Sequence, residues 1–214
     1  MAGSRAAGNA ASRIARPAIR QLLKGRKLKI KPKGHVDRPR FQKTATNNYT
    51  NLPKPFKDPA TGRWQVHAKR HDGWNRKEYR TKVDAMKQAG KDGKLNFVDN
   101  TSSKRTTGQR AKRRAEEDQA VREAVRIYDR GKHQEAQDWL DDRLRRLDAQ
   151  EADHRIELQV GGQDQLSNLD MIDAATNHGM GGQLRSQLAE AQKLGMQPGD
   201  LVEIVELPGL LRNR

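Results

Sequence analysis

The stretch Glu151–Asn177, EADHRIELQVGGQDQLSNLDMIDAATN, decides how the chain is read. An acid and a histidine, Asp153 and His154, stand at the edge of a short apolar-alternating run that reads as a strand. Gly161-Gly162 marks a turn, and a second apolar run opens on Asn168. A helical pattern begins near Asn177. Two strands and a helix can bring these polar residues together in a small space. Oxygen donors such as Asp153 and Asn177 suit a hard divalent cation. A neutral imidazole beside a phosphate can take a proton from water. This combination is what single-metal phosphodiester hydrolysis needs.

The residue types and spacings resemble the HNH, or ββα-metal, nuclease motif. His154 matches its first His, and Asn168, 14 positions on, matches its middle Asn. Asn177, a further 9 positions on, matches the third position, which is His in many members and Asn in some. The fuller string, DHRIELQVGG with later Asp, Asn-Leu, Asn and Gly positions, looks like the nuclease domains of bacterial polymorphic toxins. The likeness covers Glu151 to Leu188, under a fifth of the chain. It implies His154 as general base, Asn168 as a catalytic-site residue that pins the loop and orients the imidazole, and Asp153 with Asn177 as metal ligands. Gly181 stands where some members carry a further His, which favours Mg²⁺ or Mn²⁺ over Zn²⁺ or Ni²⁺. DNA is the implied substrate, and Arg155 and Arg185 are candidate phosphate contacts.

Composition agrees with a polyanionic partner but does not single out catalysis. The 214 residues carry 43 Lys and Arg against 27 Asp and Glu, a net charge of +16. A ribosomal or histone-like protein would show the same balance. Only 33% of residues are hydrophobic, so a core formed by part of the chain with basic extensions is expected. The absence of Cys removes disulfides and thiolate zinc sites. No apolar run is long enough to span a membrane.

The expected fold class is α+β: mainly helical, with a C-terminal ββα-metal motif and a small β-hairpin/helix module in the N-terminal half. Residues 1–60 read as a basic, Pro-containing arm and linker, with Asp37 the only acid before Thr50 and a short helix expected at Arg13 to Leu23. It suits either phosphate binding or a solvated connection. Residues 61–100 read as a sheet-plus-helix module. A strand over Arg63–Arg70 is followed by an Asp72-Gly73 turn, a return strand over Trp74–Thr81, and a helix over Lys82–Ala89. Trp64, Trp74 and Tyr79 are its expected core. Residues 104–214 read as the nuclease domain, opening on a helical hairpin, 110–147. The basic cluster Lys104, Arg105, Arg110, Lys112, Arg113 and Arg114 at its start is a candidate nucleic-acid contact. Over 151–194 the ββα motif follows, with Gly179, Gly181 and Gly182 expected to interrupt its helix, either because backbone there approaches nucleic acid or metal ligands closely or because the helix starts late, near Gln183. A terminal strand is expected over 201–207.

The function expected is therefore a metal-dependent, largely nonspecific DNA endonuclease. The toxin-like string implies delivery by a dedicated secretion machine, action in the cytoplasm of a target bacterium, and a cognate immunity protein. A phage or mobile-element HNH endonuclease, cytoplasmic and selective for one sequence, is the alternative. A basic nucleic-acid-binding protein on a degenerate nuclease fold is the non-enzymatic reading.

Overall fold

The computed structural model describes residues 23, 25–30, 52–99 and 107–209. The expected helix over Arg13–Leu23 lies outside them except for Leu23, and Lys104 and Arg105 lie wholly outside. The fold is α+β. Strands β1 (Phe56–Lys57) and β2 (Trp64–Ala68) precede helix α1 (Arg76–Lys91). Helices α2 (Thr107–Asp129) and α3 (His133–Asp148) follow. Then come β3 (Gln150–His154), β4 (Leu169–Asp173), α4 (Ala174–Lys193) and β5 (Val202–Glu206). No helix among the described residues is long and apolar enough to cross a membrane.

The chain divides into two compact units. Among described residues, one unit holds 23, 25–30 and Arg110–Gln150, and the other holds 52–99, 107–109 and 151–209. This differs from the expected division at residues 60 and 104. The helical hairpin separates from the rest of the expected nuclease domain, and the expected sheet-plus-helix module merges with it. The reason is a nonlocal pairing: β2 runs parallel to β5, Trp64 opposite Val202 and Val66 opposite Ile204.

In the first unit, Ala120, Val121 and Ala124 of α2 meet Ala136 and Leu140 of α3. Small residues on one helix admit the larger aliphatics of the other. Leu23 and Leu28 join that cluster. Arg26 makes a bidentate pair with Asp129, and the Lys29 backbone exchanges two hydrogen bonds with the Gln137 amide. This part of the basic arm is thus docked on the hairpin rather than extended into solvent.

In the second unit, a three-stranded sheet in the order β1-β2-β5 carries α1 and α4. Trp64, Val66, Val202 and Ile204 meet Tyr79, Val83 and Met86 from α1 and Met180, Leu184, Leu188 and Ala191 from α4. The expected return strand over Trp74–Thr81 is not formed. Asn75 instead caps α1, its side chain accepting from the Lys77 and Glu78 amides. The partner of β2 on that edge is β1, which was expected to be linker. Because β1 spans only two residues, it leaves the far half of β2 without ladder partners. Gln187 accepts from the His67 amide, and Gln183, one turn earlier, bonds both the amide and the carbonyl of Lys69. Two glutamines of α4 thus replace the missing length of strand.

Helix α4 runs unbroken through Gly179, Gly181 and Gly182, contrary to the expected interruption. A Cβ at Gly179 would fall 2.1–2.6 Å from the Trp74 indole, so the glycine is where an aromatic ring lies flush on the helix. At Gly181 the nearest atom to such a Cβ is Glu157 Oε1, at an ordinary 3.7 Å. The two positions should therefore respond oppositely to alanine. Gly181→Ala is expected to raise stability by up to about 1 kcal/mol through helix propensity. Gly179→Ala is expected to lower it by about 1–3 kcal/mol through overpacking. Thermal melts of the two variants against wild type check the signs.

Candidate functional site

Strand β3 delivers Asp153 and His154 to a buried position where the chain leaves the strand. The 155–168 connection contains two short 3-10 turns, Leu158–Val160 and Leu166–Asn168. Gly161 ends the first with φ +90°, and a Cβ at Gly162 would fall 1.9 Å from the Ile156 carbonyl oxygen. The Gly-Gly pair is thus required by the loop folding back on itself. Asn168 fixes that fold. Its Oδ1 accepts from the Ile156 amide at 2.8 Å, and its Nδ2 donates to the Ile156 and Gln163 carbonyls at 2.8 and 3.0 Å. No contact between Asn168 and the His154 ring is involved in this pinning.

The folded loop brings Glu157 beside Asp153 and His154. One ligand atom from each of the three lies within 4.8 Å of the other two, and all three residues are buried. The Nε2 of His154 is 3.0 Å from Oδ1 of Asp164, which sits on the same loop. Asp164 in turn receives the amide of Gly108, at the start of α2, at 3.4 Å. A Cβ on Gly108 would strike the Asp164 carboxylate at 2.4 Å. With Nε2–H donating to Asp164, the neutral ring carries its lone pair on Nδ1.

Lys82 of α1 completes the cluster. Its Nζ donates to Glu157 Oε1 at 2.7 Å and makes a short contact with Asp153 Oδ2. Only 4% of Lys82 is exposed, against 5% of Asp153, 2% of His154 and 3% of Glu157. Burial pushes the Asp153 carboxyl up to about 6, with the neighbouring Glu157 adding to the rise and Lys82 opposing it. Burial alone would lower the Lys82 ammonium, but the carboxylates of Glu157 and Asp153 reverse this and hold it above its ordinary value. Two carboxylates and one ammonium leave the cluster one negative charge in excess. Such a charge out of water attracts a proton or a cation.

The starts of α1 and α4 lock together and so aim Lys82. The Asn75 amide donates to Thr176 Oγ1 at 2.8 Å, and the Asp173 amide donates to Glu78 Oε2 at 2.7 Å. Asp173 also caps α4 through the Thr176 amide. On the first turns of α4, Asn177 Nδ2 donates to Glu151 Oε2 at 3.1 Å, and His178 Nε2 lies 2.9 Å from the same oxygen. Asn177, expected to ligate metal through its carbonyl oxygen, thus has its Nδ2 engaged by Glu151, and the acidic group that joins Asp153 and His154 is Glu157.

The expected nucleic-acid contacts divide. Arg155 forms a bidentate pair with Asp170 at 3.0 Å. Lys112 pairs with Glu116 at 3.0 Å. Arg113 is structural: it holds Glu117, Asp148 and the Leu147 carbonyl. Arg110 and Arg185 are exposed.

Glu157, Asp164 and Lys82 were not singled out from sequence. Glu157 and Asp164 stood within the decisive stretch, 3 and 10 residues after His154. Lys82 had a subtler signal. It falls with Tyr79, Val83 and Met86 on the helical spacing that faces a core, where an unpaired lysine is rarely found. No protein-family model, curated protein or solved structure matches the chain.

Asn168→Ala removes the partners of both polar backbone groups of Ile156, and unfolding in urea is expected to show a loss of about 1–3 kcal/mol. Glu151 raises the His178 pKa above its ordinary 6.5, chiefly by hydrogen bonding. Its stabilisation is therefore complete below that value and fades as pH climbs through the raised one. The melting temperature of His178→Gln should fall below wild type at about pH 5.5 and meet it by about pH 8.5.

Proposed function

We propose that the chain is a metal-dependent endonuclease of the HNH type, acting on DNA. The observation that carries the reading is the buried Asp153–His154–Glu157 group at the mouth of β3, with Asp164 behind the imidazole. It is supported by the β3-β4-α4 order and by the loop pinned through Asn168, which match what the sequence resemblance implies. The net charge of +16 favours a polyanionic substrate.

The donor set fits a divalent cation. Two carboxylates and one imidazole are close enough to share an ion. Asp153 and Glu157 would hold it, with His154 adjacent. An oxygen-rich set of this kind suits Mg²⁺ or Mn²⁺. A bound cation would supply charge stabilisation at the phosphate and the leaving oxygen.

The chain's own residues supply the rest. His154 Nδ1 accepts a proton from the attacking water. Asp164 holds the opposite nitrogen, which fixes the tautomer and steadies the imidazolium that forms. The water oxygen bonds to phosphorus as the bond to the 3′ oxygen breaks, and the leaving 3′ oxygen takes a proton from solvent water, giving a 5′-phosphate and a 3′-hydroxyl. Since His154 is 2% exposed, the reading requires that substrate binding uncover the ring. Delivery into a rival bacterium, with an acidic immunity protein as antidote, extends this proposal and rests on the toxin-like string alone.

Purified protein should nick supercoiled plasmid in the presence of Mg²⁺ or Mn²⁺ and stop on addition of EDTA. His154→Ala should cut about 10²–10⁴-fold more slowly. Equal cutting by wild type and His154→Ala would remove the imidazole from the mechanism. Tight, salt-sensitive DNA binding without any cutting would favour the non-enzymatic reading.

A further inference from the structure

We propose that Lys82 is a built-in counter-cation that occupies the space between Asp153 and Glu157 and gives it up to a divalent ion, so that a seated lysine and a loaded metal exclude one another. The inference rests on the reading of this cluster as a metal site.

Its basis is the position of the ammonium. Lys82 Nζ touches the carboxylate oxygens of both Asp153 and Glu157, the two groups that would hold an ion. An ammonium sits about 2.7–2.9 Å from carboxylate oxygens, and Mg²⁺ sits about 2.0–2.1 Å from them. Either cation would therefore fill the same gap between the two side chains. The gap is buried, so neither can be accommodated through a shell of bulk water.

Charge makes the exchange one for one. The cluster with its lysine carries one excess negative charge. Replacing the ammonium by a divalent ion brings it to zero, whereas adding the ion beside the ammonium sets two like charges within a few ångströms in a medium that screens poorly. The geometry of the lysine permits withdrawal. The backbone of α1 is fixed at its start by Asn75 and Glu78, but four rotatable carbons separate that backbone from the ammonium. Lysine is the side chain suited to this role, because its compact charge fills an ion-sized space and forms no rigid bidentate fork.

Two measurements on the full chain test this. In the first, Mn²⁺ binding is followed by calorimetry and by electron paramagnetic resonance for wild type and Lys82→Met. The variant keeps the length of the side chain and removes the charge, and it should bind one Mn²⁺ at least tenfold more tightly. Because two buried carboxylates without their counter-ion can prevent folding, the second measurement uses wild type alone. Acylation of Lys82 by an amine reagent, read by peptide mass, should be slow in metal-free protein and at least tenfold faster with saturating Mn²⁺. Unchanged or weaker binding by folded Lys82→Met, or an equally protected Lys82 with and without bound Mn²⁺, would overturn the proposal. Absence of Mn²⁺ binding in both proteins would do so as well. These readouts are independent of cleavage. If both fail while metal-dependent nicking persists, the lysine role alone is lost. If both succeed and no DNA is cut, the nuclease reading is lost and the cation exchange stands.

Discussion

The second unit of this protein is organised around one buried ammonium. Lys82 joins α1 to the loop that follows β3 through two carboxylates, Asp153 and Glu157. Taking three charges out of water costs several kcal/mol for each ion, and only close, multiple contacts repay it. Such a cluster is a poor source of stability in itself. It is demanding about geometry, because removing one partner leaves an uncompensated buried charge that costs about 3–5 kcal/mol. The neighbouring structure meets that demand. The two helix starts are tied by Asn75 to Thr176 and by Glu78 to the Asp173 amide, and the loop is tied by Asn168. Each of these bonds removes a way for the carboxylates and the ammonium to drift apart.

The sheet shows the same dependence of fold on a few polar side chains. β1 is too short to complete the edge of β2, and Gln183 and Gln187 from α4 supply the missing hydrogen bonds. The consequence for the site is direct. The helix that carries Asn177 and His178 at its start is fastened near its middle to the sheet, so its first turns hold their place against β3.

The order strand, strand, helix around Asp153 was legible because it is written in local signals: an acid-His pair, a Gly-Gly turn, an Asn and an apolar run. The hairpin of α2 and α3 was legible for the same reason, through helical spacing of Ala120, Val121, Ala124, Leu140 and Leu147. What failed were readings in which a distant contact outweighed a local preference. Gly179 looked like a helix breaker, yet Trp74, 105 positions earlier, needs that face to be bare. Trp74–Thr81 looked like a strand after a strong turn, yet the Asn75 cap and the parallel partner β5 made it a helix start. In the site, Glu157 was within view but read as part of a motif string. Lys82 lay on the apolar face of its helix, a conflict that only a buried acid resolves.

The surface charges of the chain bear on how a polyanion could be held. Arg113 has three partners and could leave them only at the expense of the α2–α3 packing. Arg155 differs: its pair with Asp170 is nearly half exposed, and exposed pairs are worth about 0–1 kcal/mol. Exchanging Asp170 for a phosphate is therefore almost free of cost, and Arg155 follows directly on His154. Arg110 and Arg185 are exposed and need no such exchange. Among the described residues, fewer of the expected cationic contacts are thus open to a phosphate chain than the sequence suggests. Much of the excess charge lies in the first 50 residues, where Asp37 is the only acid. Under the proposed function, affinity for a polyanion would then draw heavily on that stretch, while Arg155, adjacent in sequence to His154, would be the residue to align a phosphate with the imidazole.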